Sequence, residues 1–228
     1  MKKLEQKVRL AQKRFAEKLE LHEISEKGLS LTQYQRFLSL QFHLTKDVQR
    51  HFLIAASHPD LAHRRSLREF LYRFANEEEL HFKLAEKDLK HLNQPILPIS
   101  LDVKLWKAYF DRLVYQKPFV RLGATSILEN IADGSTELIK TAMAKSSFLN
   151  AKNTMFLTVH LHEELPHGDQ VLDALANSSL DEAHYDDLLL GAEEGTTFYL
   201  RFLDWILEEG MTQFSTDSQE VTLGDSLS

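Results

Sequence analysis

Residues 159–168 read V-H-L-H-E-E-L-P-H-G, three histidines and two glutamates in ten positions. Imidazole nitrogens and carboxylate oxygens are the donors that hold divalent transition metals where thiolates are absent, and the chain has no cysteine. On a helix each residue advances about 100°, so His160, Glu164 and His167, spaced by four and three, share one face. Phe156, Val171 and Ala174 continue that face with apolar side chains, which turns it toward a core. His162 and Glu163 point elsewhere and read as surface residues. Pro166 lies between two members of the set. It removes a helical N–H and crowds the carbonyl four residues earlier, so a kink is expected there.

A second group is N-E-E-E-L-H, residues 76–81. Glu78 and His81, three apart, can converge on one ion from one helix. Glu77 and His81, four apart, also face together, so both glutamates are candidates. The third piece is Glu129 in L-G-A-T-S-I-L-E-N-I-A, the one ionisable residue between 122 and 132. A carboxylate in so apolar a run needs a compensating charge, a hydrogen-bond network or a metal.

Glu78, His81, Glu129, His160, Glu164 and His167 together make three carboxylates and three imidazoles from three helices. That set offsets most of the charge of two divalent cations, and its oxygen and nitrogen donors suit iron or manganese better than calcium or copper(I). A glutamate can bridge two ions and leave positions open for dioxygen. Singly, each histidine reads as a hydrogen-bonded or half-exposed helix residue, and E-E-E as a solvated acidic face; only the combination stands out. Phe156 and Ile127, apolar residues of the same helices, are expected to wall a substrate pocket.

The elements that must position these residues read as helical throughout, with apolar residues recurring every three or four positions. Breaks at Gly28, at His58-Pro59 and at Pro95 to Pro98, with Ser30, Asp60 and Ser100 as N-caps, divide the chain. Helices are expected at about 4–28, 31–56, 60–92, 100–115, 119–142, 150–176 and 179–210, the fifth interruptible at Gly134. Pro118 suits the first turn of that fifth helix. The expectation is an all-α bundle of about seven helices, one domain over 1–210, and a polar, flexible tail over 211–228.

The 228 residues are 43% hydrophobic, enough for a sizeable core, and carry a net charge of −7. An acidic chain gives no electrostatic reason to bind nucleic acid. Without cysteine there is no disulfide, thiolate metal site or cysteine nucleophile. No apolar run reaches membrane-spanning length and none resembles a signal peptide, so no membrane association and a cytoplasmic location are expected.

The order Glu-x-x-His, a lone Glu in an apolar helix, then His-x-x-x-(Asp/Glu)-x-x-His resembles the haem-oxygenase-like diiron oxidases and oxygenases, of the TenA/PqqC-like fold. The resemblance spans about 21–210 and includes GLSLTQYQRFLSLQF and LDEAHYDDLLLGAEEGTTFYLRFLDWIL. It implies two iron ions (Fe2+, with manganese as the substitute) on the six residues above, O2 as co-substrate and a small organic substrate. It also implies a homodimer. Electrons would come from an external donor, since no flavin or nicotinamide motif is visible. Glu164 stands where the family commonly has aspartate, and Pro166 is a second departure. A ferritin-like arrangement would need a further carboxylate from the helix over 31–56, which offers only Asp47. The alternative is a metal-free TenA/PqqC-like enzyme or small-molecule-binding protein, in which the same side chains hydrogen-bond a polar ligand. Cysteine-dependent thiaminase chemistry is excluded.

Overall fold

The computed structural model describes residues 1–161 and 167–208, the side chains of His160 and Leu161 excepted. Over these residues the chain is all-α, as expected, with no strand. The helices are α1 (Lys2–Leu21), α2 (Ile24–Lys27), α3 (Leu31–Thr45), α4 (Gln49–Ser57), α5 (Arg65–Glu78) and α6 (His81–His91), followed by α7 (Leu101–Leu113), α8 (Pro118–Leu128), α9 (Thr136–Lys145), α10 (Met155–Leu161), α11 (His167–Ala176) and α12 (Glu182–Leu207). A short 3₁₀ turn covers Pro59–Leu61. The tail expected at 211–228 and Pro166 lie outside the described residues.

All seven anticipated helical segments are present, and four of them are divided. The first breaks after Leu21, the second at 46–48, the third at 79–80 and the fifth at 129–135. The sixth is described as α10 and α11 on either side of residues 162–166. Local caps fall where the sequence places them. Ser30 and Gln33 form a reciprocal capping box on α3, Ser100 accepts from the Val103 N–H, and Pro118 opens α8. Asp60 does not cap α5. The ring Nδ1 of His58 instead accepts the Asp60 N–H, which winds 59–61 into the 3₁₀ turn, and α5 begins only at Arg65.

The centre of the molecule is α8, buried at every position from Pro118 to Ile127 and crossed closely by α12. Two glycines set that approach. A Cβ at Gly123 would lie 2.1 Å from the Leu188 carbonyl oxygen, and one at Gly191 only 1.8 Å from that of Val120. Only hydrogen fits there, so the two backbones touch. Around this pair, Leu4, Val8, Phe52, Phe74, Phe110 and Phe202 are fully or almost fully buried. Each such side chain contributes roughly 1.5–3 kcal/mol by leaving water. The helix that ends at Glu129 is thus buried along its length.

Candidate metal centre

Three of the four candidate ligands within the described residues sit at helix ends. Glu78 is the last residue of α5 and His81 the first of α6, with Glu79 and Leu80 between them. Glu129 is the C-cap of α8, and His167 is the first described residue of α11. The break at 79–80 therefore replaces the single helix face that the Glu-x-x-His spacing suggested.

These ends meet. One Glu78 oxygen, Oε2, lies 3.0 Å from Nδ1 of His81, which donates to it. The other, Oε1, lies 3.0 Å from Nδ1 of His167. Nδ1 of His167 is also 3.9 Å from Oε2 of Glu129. The two imidazole rings are nearly parallel, tilted by 19° with centroids 5.9 Å apart. Phe74 presents its ring edge-on to His167 at 5.0 Å. Ligand atoms of Glu78, Glu129 and His167 all fall within 4.8 Å of one another. Gly168 packs against Asn130, the neighbour of Glu129: a Cβ on Gly168 would come within 2.4 Å of the Asn130 amide oxygen, so a larger residue there would require the Asn130 side chain to shift.

Glu78 is 4% exposed. Burial pushes its carboxyl up, but the His167 and His81 imidazoles beside it prevail and hold it down at about 2. Despite its contact with His167, Oε1 of Glu78 makes no hydrogen bond of good angle among the described residues. The polarity of the helices adds to this. The C-terminal end of a helix carries partial negative charge and the N-terminal end partial positive charge. Here both carboxylates lie at C-terminal ends, which favours a cation beside them. Two carboxylates and two imidazoles supply the oxygen and nitrogen donors that a divalent cation takes, so the donor set fits a divalent metal.

Glu77, the other candidate beside His81, lies at the edge. It is 3.6 Å from Nε2 of His167 and 3.5 Å from Arg73, and its side chain is 38% exposed against 6% for Glu78. The His160 side chain and the whole of Glu164 lie outside the described residues. Asp88, buried in α6, accepts from the Met155 and Phe156 N–H groups at 3.1 and 2.8 Å and so caps α10, the helix that carries His160.

A cavity of about 200 Å³ adjoins the cluster, with Glu78, Glu129 and His167 in its wall. Phe156 lines it with Phe15, Phe37, Phe52, Trp106 and Tyr199. Ile127 is fully buried in the main core, and its neighbour Leu128 reaches the cavity in its place. Sequence reasoning missed Arg121. It too lines the cavity and is 1% exposed. Its signal was available: a lone cation in the apolar run P-F-V-R-L-G-A, with Thr125 and Glu129 following at four and eight residues along α8.

No protein-family model matches the sequence, and no curated protein matches it. Among solved structures, the chain is similar to a domain of unknown function from Shewanella denitrificans with a haem oxygenase-like fold. The two are 21% identical with a TM-score of 0.74, and the match covers 91% of this chain and 92% of that one. No described helix is long and apolar enough to cross a membrane. With helices alone and this likeness along nearly its whole length, the chain has a haem-oxygenase-like fold.

Proposed function

We propose that the protein is a non-haem diiron oxidase or oxygenase that acts on a small organic substrate in the aromatic-walled cavity. The observation that carries the reading is the convergence of Glu78, Glu129 and His167, from α5, the end of α8 and α11, to within 4.8 Å of one another beside that cavity. Glu78, His81, Glu129, His160, Glu164 and His167 would hold two iron ions, with manganese as the substitute. When bound, the metal supplies activation of dioxygen, and an external donor supplies electrons.

The chain's own residues have separate tasks in this reading. Glu78 sits between His81 and His167 and holds both rings in place. Each Nδ1 faces Glu78, so the two rings are kept in one orientation. Phe37, Phe52, Trp106 and Phe156 exclude water from the substrate's path. The cavity is smaller than that of most drug-sized ligands, which points to a compact substrate.

A second reading has an observation of its own. The hydrogen bond from His81 to Glu78 and the Glu78–His167 contact pair these groups without a metal, as a metal-free TenA/PqqC-like enzyme or binding protein would require. An oxygen electrode separates the two. Iron(II)-loaded protein given a reductant should consume O2 faster than the same protein treated with chelator, and Glu129→Ala should abolish the difference. Equal consumption by the loaded, chelated and Glu129→Ala forms would favour the metal-free reading.

A further inference from the structure

Among the described residues, Arg121 is a buried cation without a counter-ion at contact distance. Its guanidinium makes two hydrogen bonds among the described residues: Nε donates to Nδ1 of His51 at 3.2 Å, and Nη1 donates to the Thr125 hydroxyl at 2.6 Å. Both acceptors are uncharged. A guanidinium has five N–H donors, so three find no acceptor among these residues. The rings of Phe52, Trp106 and Phe110 each lie 5.6 Å from its central carbon and replace part of its lost hydration. A charge so placed is costly unless it meets an anion. Glu129 and Asp111 act on it only at longer range, and burial lowers it to about 10, which leaves it protonated at neutral pH.

The guanidinium is also held in one orientation. Nδ1 of His51 accepts from Arg121, so the imidazole proton sits on Nε2 and points to Oδ1 of Asp111. Burial and the adjacent Arg121 charge keep His51 down at about 4, so it is neutral at physiological pH. The chain Asp111–His51–Arg121–Thr125 thus fixes the plane of the guanidinium, and Arg121 itself forms part of the cavity wall.

On the other side of Arg121 lies a second concavity of about 470 Å³. It carries Lys46, Arg50, Lys107 and Arg121 against the carboxylates of Asp47 and Asp111, an excess of cations in a chain of net charge −7. Leu44, Val48, Trp106 and Arg121 belong to both walls. Basic concavities raise the local concentration of anions. Glu129 lies eight residues further along α8, about 12 Å along the helix axis.

We propose that Arg121 is an anion-binding residue that holds the carboxylate or phosphate head of a ligand drawn in past the basic concavity, with the ligand's apolar body lying along the aromatic wall toward Glu78 and Glu129. This rests on the cavity being the reaction site and names the class of its substrate. His51 and Asp111 are positioning residues for the guanidinium.

The test uses the full chain, first freed of metal by chelation, with hexanoate, hexyl phosphate and uncharged hexanamide titrated by calorimetry. One of the two anions should bind roughly tenfold or more tightly than hexanamide, and which one does so identifies the head group. Arg121→Gln should erase that preference. In wild-type protein with nitrogen-15-labelled arginine, the buried Nε–H signal of Arg121 should shift with the anion and not with hexanamide, a readout that stands even if the variant fails to fold. Equal binding of all three probes, or anion binding that survives Arg121→Gln, overturns the proposal. Anion binding that appears only after iron loading and ignores Arg121→Gln places the head on the metal, which overturns the role of Arg121 and leaves the diiron reading intact. Anion binding through Arg121 in a chain that takes up no iron does the reverse.

Discussion

Glu78 is the residue on which the candidate centre turns. Its burial favours the neutral acid, yet imidazoles at 3.0 Å from each oxygen keep it charged. Glu129 adds a second carboxylate at a helix C-terminal end, where the partial charge of the helix opposes it by about 0.3–1 kcal/mol. Replacing Glu129 by Gln keeps the shape and removes the charge. Iron(II) affinity should then fall on the order of 100-fold, while the unfolding temperature of metal-free protein stays within a few degrees. Affinity unchanged from wild type would remove Glu129 from the centre. The residue types at 78, 81, 129 and 167 were legible in the sequence because acids and imidazoles inside apolar runs demand partners. That 78, 81 and 129 lie at helix ends was not legible, since spacing alone treats each run as continuous. Arg121 escaped for a related reason: an isolated arginine ordinarily extends its head to water, and only the packing of Phe52, Trp106 and Phe110 around it shows that this one does not.

Among the elements, the capped starts were readable because capping is local: Ser30 and Ser100 need only the residues three positions on. The interruptions depend on tertiary contacts. At 46–48 the chain turns with Asp47 at a φ of 69°, a left-handed conformation that costs a non-glycine residue on the order of 1 kcal/mol or more. That turn brings Lys46 and Asp47 to the basic concavity. Asp88 shows the same dependence, capping α10 from a helix distant in sequence. Asp88→Ala removes a charged acceptor from two backbone N–H groups and should cost about 2–4 kcal/mol. In a chain of this length that is a fall of roughly 5–10 °C in thermal unfolding, and Asp88→Asn should recover part of it. A change under about 1 °C for the alanine variant would show that α10 does not need this cap. The α8–α12 crossing gives a sharper test. A methyl group at residue 191 would meet the Val120 carbonyl oxygen at 1.8 Å, so Gly191→Ala should destabilise the protein by roughly 1–3 kcal/mol or more. Gly134, whose added Cβ would meet nothing within 4 Å but whose φ is 80°, should lose less on the same change. Equal melting shifts for the two variants would contradict the close approach.

At the scale of the whole molecule, the all-α architecture followed from helical periodicity, and the haem-oxygenase-like fold matches a structure only 21% identical in sequence. The fold gathers the ends of α5, α6 and α8 around His167 of α11 and leaves a cavity beside them. A metal bound there would tie together segments far apart in the chain and stabilise the folded state by mass action. At a free concentration a hundred times the dissociation constant this amounts to about 2.7 kcal/mol, so iron(II) should raise the unfolding temperature by roughly 5–10 °C. A shift no larger than magnesium gives would mean that the cluster does not select a transition metal. The central claim is tested most directly by anaerobic titration of iron(II) into the full chain, read as bound iron per chain. The diiron account predicts two ions for wild type and fewer for both Glu129→Ala and His167→Ala; no saturable binding, or the same stoichiometry in all three proteins, would contradict it.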